Sequence, residues 1–129
     1  MRDFLNLTFE QDFLRLPSTF FTSVQPQGLK SPELVAVSSA CAELIDLDPS
    51  SLSKPDSLAV LSANAYFSGI TPIAMKYTGH QFGYYNPDLG DGRGLLLADI
   101  KTDQSTRWDL HLKGTGTTPY SRQGDGRAV

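Results

Sequence analysis

The feature that most limits how this chain can fold is a tetrapeptide, Gly-Asp-Gly-Arg, that occurs twice, at residues 90–93 and 124–127. Most of the 11 glycines lie in the same stretch, between Lys76 and Val129, where they separate apolar runs. Glycine adopts positive φ at little steric cost and lets other groups approach the backbone closely. The two motifs therefore predict tight turns beside strands, and they are called the first and second motif below.

From Ile73 onward, apolar residues recur with a period of two, which is typical of half-buried strands. The pattern predicts three strands, at Ile73–Phe82, Gly94–Lys101 and Arg107–Leu112. The unbroken apolar run at 95–100 predicts burial on both faces of the second strand. In the third strand, the alternation places Trp108 on the side that faces the core.

Turn and helix signals occupy other parts of the chain. The stretch Tyr84–Leu89 contains Asn-Pro-Asp, and we expect a turn there. A helix is predicted over Pro32–Leu47, because Ser31 can cap it and apolar residues recur at helical spacing. Cys41 lies on that apolar stripe and is expected to be buried. A brief second helix is expected near Leu58–Leu61.

These elements together predict the α+β class, with a small antiparallel sheet and helices packed to one side. We divide the chain into an amino-terminal arm with a helical region, residues 1–72, and a β-sheet region with glycine-rich loops, residues 73–129. At 129 residues the chain is long enough for one domain and short for two.

Composition excludes several classes of protein. The net charge of −3 disfavours a general nucleic-acid binder, which would present a basic face. A single cysteine excludes an intrachain disulfide and a cysteine-rich zinc cluster. The amino terminus lacks the features of a secretory signal, and no apolar run is long enough to span a membrane. We therefore expect a cytoplasmic protein that binds neither nucleic acid nor membrane.

The clustering of cations in the glycine-rich stretch points to a polyphosphate site. Lys113 ends the third predicted strand on its polar face and precedes a glycine, while Arg93 and Arg127 each close one motif. Ammonium and guanidinium groups suit phosphate oxygens, and successive backbone N–H groups in glycine turns can bind anions. Two alternatives remain open. Lys113 could be a solvated lysine at a strand end, and the Asp-Gly turns could have the purely structural role of connecting strands.

Other chemistry is poorly supported by the residues. The pattern of a strand–loop–helix phosphate loop is absent. The two histidines, His80 and His111, stand in no metal-binding pattern, and structural roles are the better interpretation. Ser121 lacks the Gly-x-Ser-x-Gly setting of a nucleophile elbow.

Two long stretches resemble a known family. YTGHQFGYYNPDLGDGRG and LHLKGTGTTPYSRQGDGRAV closely resemble the SelO family, which comprises selenoprotein O and its bacterial YdiU-type relatives. The resemblance extends over essentially the whole chain. It implies the amino-terminal part of a protein-kinase-like (pseudokinase) fold. It also implies an enzyme, a protein adenylyltransferase that transfers AMP from ATP to the hydroxyl groups of Ser, Thr or Tyr in proteins.

The resemblance also implies the nucleotide contacts. Lys113 is similar to the lysine on the third strand of kinases, and 90–93 to their glycine-rich loop, with ATP held in a flipped orientation and accompanied by Mg²⁺ or Mn²⁺. UTP with Mn²⁺ is an alternative within the family. The nucleotide-binding residues carried over are Gly90, Gly92, Arg93, Lys113, Asp125 and Gly126.

The general base and the metal ligands of the family find no counterpart in these 129 residues. We therefore expect an amino-terminal fragment that carries the phosphate-binding half of a site and no catalytic or metal-binding residue of its own. By itself such a fragment should be inactive. The alternative is a non-catalytic module, from a truncated or split gene, that binds a nucleotide or a partner.

Overall fold

A computed structural model describes residues 1–128 and shows an α+β chain built on a curled antiparallel sheet. The predicted class and the antiparallel sheet are confirmed. Six strands form the sheet: β1 Thr8–Glu10, β2 Phe21–Ser23, β3 Ile73–Gln81, β4 Tyr84–Gly90, β5 Gly94–Lys101 and β6 Arg107–Lys113. The order is β1-β5-β3-β2, with β4 beside β3 and β6 beside β5.

Two hairpins, β3–β4 and β5–β6, make up most of the sheet. The three predicted strands are confirmed to within a residue at their ends. β5 has the expected burial, because the apolar side chains of 95–98 and Ile100 are all enclosed. The short strands β1 and β2 come from the amino-terminal arm and pair with β5 and β3, respectively.

The prediction of a turn at Tyr84–Leu89 is wrong, because these residues form β4. Among the described residues β4 pairs with β3 alone, and so it lies at an edge of the sheet. Proline is tolerated on an edge strand, since a backbone N–H that faces solvent is not needed for pairing. Pro87 therefore fits there. The turn chemistry is local, with the Asn86 side chain accepting the backbone N–H of Asp88 at 2.9 Å.

The predicted helix over Pro32–Leu47 is also too long. Helix α1 covers only Ser39–Leu44, and the hydroxyl of Ser38 caps it by accepting the N–H of Cys41 at 3.3 Å. Residues 32–38 include two valines and a serine, which are weaker helix formers than alanine or leucine, and the apolar stripe is not buried. Cys41 is exposed, contrary to expectation. Without a surface to pack against, periodicity alone does not hold the longer helix.

The second helix, α2, covers Pro55–Leu61 and confirms the brief helix expected there. It packs near an aromatic cluster in which Phe4, Phe9 and Phe67 meet edge to face, with ring centroids 4.4–6.0 Å apart. Ile100 of β5 belongs to the same core. The amino-terminal arm thus closes one face of the sheet with its aromatic side chains.

Trp108 does not lie in the core as predicted, since it is 42% exposed. Its neighbours on the same side of β6 behave as expected in part: Leu112 is buried and Leu110 half-buried. Within the part of the chain that the structure describes, β6 has a partner strand, β5, on one side. A residue near the start of an end strand therefore keeps one flank open to solvent.

A cluster of charges ties the arm to the far end of the β5–β6 hairpin. The guanidinium of Arg107 binds the carboxylates of Glu10 and Asp12. The carboxylate of Asp99 accepts the N–H of Asp12 at 2.9 Å, and Asp99 faces Asp109 across the strand pair. Burial, followed by the hydrogen bond and negative charge of Asp109, raises the pKa of Asp99 above its ordinary value.

We expect Asp109→Asn to stabilise the fold at neutral pH. A raised pKa in the folded state means that Asp99 favours folding below its unfolded pKa, and that this contribution is lost as pH rises through the folded pKa. Removing the facing charge should therefore add about 0.2–1 kcal/mol to the unfolding free energy at pH 7. Urea unfolding at pH 7 and pH 3 measures the change in unfolding free energy. An equal increase at both pH values would contradict the role given to the charge of Asp109.

No helix within residues 1–128 is both long enough and apolar enough to cross a lipid bilayer.

Candidate functional site

The two Gly-Asp-Gly-Arg motifs, far apart in sequence, meet around one open cleft of about 340 Å³. The first motif connects β4 to β5, and the second follows the loop that leaves β6. Both motifs contribute backbone and an arginine to the cleft. Its walls are formed by Gly92, Arg93, Ser121, Gly124, Asp125, Gly126 and Arg127.

The first motif is anchored to β3 through Asp91. Its backbone N–H donates to the carbonyl of Met75 at 2.9 Å, and its carboxylate accepts the N–H of Met75 at 2.9 Å. The carboxylate of Asp91 is thus engaged by the backbone. The first motif is thereby fixed to β3, and Asp91 serves to position it.

A clasp of two hydroxyl groups joins the first motif to the loop after β6. The Thr118 hydroxyl donates to the carbonyl of Asp91 at 2.6 Å. The Ser121 hydroxyl donates to the carbonyl of Gly92 and accepts the N–H of Thr118, the latter at 2.7 Å. These bonds turn two carbonyls of the first motif toward the loop. Thr118 was not singled out from the sequence, and Ser121 was considered only as a nucleophile.

The second motif is held by a close backbone crossing. The N–H of Gly116 donates to the carbonyl of Gly126 at 3.1 Å, and Gly126 has a φ of +74°. A methyl group on Gly126 would overlap the backbone of Gly116. The Asp125 carboxylate accepts the N–H of Arg127 at 2.9 Å. Only glycine fits at 126, and Asp125 stabilises the turn that carries Arg127.

The two arginines supply the positive charge of the cleft. Arg93 Nη1 donates to the carbonyl of Arg127 at 3.4 Å, and Arg127 Nη1 donates to the carbonyl of Gln27 at 3.3 Å. Neither guanidinium has a carboxylate partner within residues 1–128. Each therefore keeps donors for an anion, and guanidinium groups bind phosphate in a bidentate manner.

Lys113 lies at the edge of this arrangement, outside the walls of the cleft. It is exposed at the end of β6, in register with Gly94. The N–H of Gly114 donates to the carbonyl of Arg93 at 2.7 Å, which fixes the strand end beside the first motif. Lys113 shares in no ion pair among the residues described. Its ammonium therefore has no ion-pair partner among these residues, and the strand end that carries it is bonded to the backbone of Arg93.

Gly90 is the predicted site residue that the structure places elsewhere. A side chain at Gly90 would overlap the ring of Tyr120, whose hydroxyl pairs with that of Thr22 at 2.9 Å. Gly90 borders a separate hollow of about 180 Å³ that also contains Asp88 and Arg122. Of the six predicted positions, four line the cleft, Lys113 lies outside its walls, and Gly90 lines the separate hollow, where glycine is required by packing.

Within residues 1–128, no group of three or more His, Cys, Asp or Glu side chains could hold a metal ion. Asp125 is the one carboxylate among the residues that line the cleft. A phosphate-bound metal would therefore need ligands beyond those that the described residues bring together.

Comparisons with known proteins show which family this chain resembles over its length. The family model described as Protein adenylyltransferase SelO matches residues 3–129. The chain is 52% identical over its whole length to the protein nucleotidyltransferase YdiU of Photobacterium profundum. It is 52% identical over 95% of its length to a protein of that name from Pseudomonas putida. The YdiU protein of Stutzerimonas stutzeri is 50% identical over the whole chain.

The chain spans about a quarter of the length of these relatives: 25% of the Photobacterium and Pseudomonas proteins and 26% of the Stutzerimonas protein. Both motifs and the strands that carry them lie inside the matched range. The family match covers nearly every residue of the chain, and the relatives that share its sequence are named nucleotidyltransferases. The chain therefore belongs to the SelO family of protein adenylyltransferases.

Proposed function

We propose that this chain forms the phosphate-binding part of an enzyme that transfers AMP from ATP to Ser, Thr or Tyr hydroxyls of proteins. The observation that carries the proposal is the meeting of the two motifs around one cleft with two arginines that have no acidic partner among residues 1–128. A triphosphate carries several negative charges in a short length, and such a cleft neutralises them from two sides.

The sheet supports the kinase-like part of the proposal. β4, the first motif, β5 and β6 succeed one another as strand, glycine turn, strand and strand, and a lysine ends the third. The same order is found in the amino-terminal lobe of kinases, where the glycine loop covers the phosphates and the lysine binds them. We assign Lys113 and the first motif to these roles. Arg93 and Arg127 would then hold the inner phosphates of a flipped nucleotide.

The residues present fit the phosphates better than they fit a metal. When bound, Mg²⁺ or Mn²⁺ would supply positive charge that offsets the negative charge of the phosphates. This chain offers Asp125 near the cleft, and its carboxylate already accepts the N–H of Arg127. The contribution of these residues to the reaction is therefore electrostatic: they hold and orient the phosphates.

The proposal predicts that the 129-residue chain binds ATP and that Arg93→Ala weakens the binding by about 10- to 100-fold, the loss expected for charge-assisted hydrogen bonds. Isothermal titration with ATP measures the dissociation constant. Arg122→Ala is the matched control, since it removes the same charge from a residue that lines the separate hollow and not the cleft. That variant should bind ATP as the unchanged chain does.

Two results would contradict the assignment. One is equal loss of affinity in the two arginine variants, which would indicate a general charge effect. The other is undiminished binding in Arg93→Ala. We also expect no transfer of AMP to protein acceptors by the 129-residue chain alone. Nucleotide binding without transfer by a chain of full family length would favour the non-catalytic alternative.

A further inference from the structure

The outer half of the β3–β4 hairpin is an aromatic projection, here called the finger and defined as residues 77–87. Beyond Met75, β3 has β4 as its one strand partner among the described residues, and β4 pairs with β3 alone. A two-stranded hairpin by itself is marginally stable in water. The finger therefore extends from the sheet without support from another described strand.

The finger exposes a cluster of aromatic side chains beside the polar side chains of Thr78, His80 and Gln81. Phe82 is 96% exposed, Tyr84 78% and Tyr85 59%. No Asp, Glu, Lys or Arg occurs between Lys76 and Asp88, and those two pair with each other at 3.1 Å across the base of the finger. Interface cores are enriched in aromatic residues and depleted of charged ones. Exposed aromatic residues clustered in this way are typical of a docking surface.

The backbone at the tip supplies an independent observation. Phe82 and Gly83 form the two-residue loop of the hairpin, with φ values of +52° and +80°. Such turns favour Asn or Gly at the first position, because a bulky side chain is strained there. Backbone strain persists where it serves a site. Phe82 thus has an unfavourable backbone conformation, and its ring is exposed to solvent.

We propose that the finger docks into an apolar pocket formed by the part of a YdiU-type chain that lies outside the quarter matched here. The finger falls inside the range matched by the family, so its partner should be something that the relatives share. About three quarters of the length of such a relative lies outside this range. A lipid surface is disfavoured, since the finger contains no Lys or Arg and Lys76 at its base is already paired with Asp88.

The test compares two contexts. One is the 129-residue chain, and the other is a chimera in which this chain replaces the matching quarter of the Photobacterium profundum protein. Phe82→Asn relieves the turn, so it should raise the melting midpoint of the chain alone by about 4 °C. In the chimera the same change removes a buried anchor, and the midpoint should fall by at least about 2 °C.

Ser105→Asn is the matched control. Ser105 has a φ of +61° in the β5–β6 turn and is exposed and polar, so this change should raise the midpoint in both contexts.

Hydrogen exchange gives a second readout that does not depend on a variant. Amides of residues 78–85 should exchange at least about tenfold more slowly in the unchanged chimera than in the chain alone.

Two outcomes would overturn the proposal. A midpoint that rises with Phe82→Asn in the chimera, with equal exchange in both contexts, would show that the rest of the chain leaves the finger uncovered. Dimers of the chimera that dissociate with Phe82→Asn, measured by sedimentation, would assign the finger to a second copy instead.

Discussion

Lys113→Ala should lower the rate of AMP transfer by about 100-fold or more, because an electrostatic contact to a phosphate would be lost. The measurement uses the chimera with the Photobacterium protein, labelled ATP and a protein acceptor. Stability should change by no more than about 0.5 kcal/mol, since the side chain is exposed and has no ion pair in residues 1–128. The loss would therefore reflect the nucleotide and not the fold.

Lys101→Ala is the control for Lys113. Both lysines belong to the β5–β6 hairpin, but Lys101 lies at the opposite end, where it pairs with Glu10 at 3.7 Å. Its removal should leave transfer unchanged. A rate that is the same in Lys113→Ala and in the unchanged chimera would rule out the role assigned to Lys113.

The central strands could be predicted from the sequence because their signal is local. In β5 and β6, burial follows either an unbroken apolar run or a period of two, and short polar loops separate the strands. β1 and β2 were missed, since each has three residues, too few to show a period. Their position depends on pairing with β5 and β3, which is information from distant parts of the chain.

The helix and the core show where periodicity misleads. A stripe at helical spacing predicts a helix only if another surface buries it, and Leu34, Val37 and Leu44 are 37–53% exposed in this chain. The same reasoning explains Trp108, which has the correct face but lies on an end strand. Sequence alone predicts which residues share a face, and not whether that face is covered.

The two motifs of the candidate site could be predicted from the sequence, but the hydrogen bonds that support them could not. Glycine and arginine spacing indicated where backbone and charge would be available. The clasp of Thr118 and Ser121 on the first motif joins residues 27 and 29 positions apart. Hydroxyl groups in a loop have many possible partners, so no local pattern identifies these bonds. The role of Gly90 was likewise hidden, because it depends on Tyr120.

The second large effect is expected at the second motif, where Gly126→Ala should abolish ATP binding. A methyl group there would overlap the backbone of Gly116, and the residue has a φ of +74°. Relief requires the two loop segments to separate, at a cost of about 2–4 kcal/mol from strain and overpacking combined. Separation breaks the hydrogen bond from Gly116 to Gly126 and moves Arg127 away from Arg93. The cleft would then lose one of its two walls.

Gly124→Ala in the same motif is the matched control for opening of the loop, although Gly124 itself lines the cleft. Its added methyl would lie 3.2 Å from the carbonyl oxygen of Ser121, and its φ is not positive, so a small shift accommodates it. Titration with ATP measures the affinity for the nucleotide. Hydrogen exchange of residues 115–127 measures the separation of the loop segments. In Gly126→Ala, exchange should accelerate in this loop while β5 stays protected, because the sheet does not depend on the crossing. Retained ATP affinity alongside accelerated exchange would show that the second motif is not a wall of the nucleotide site, and only Arg93 and Lys113 would remain as phosphate-binding groups.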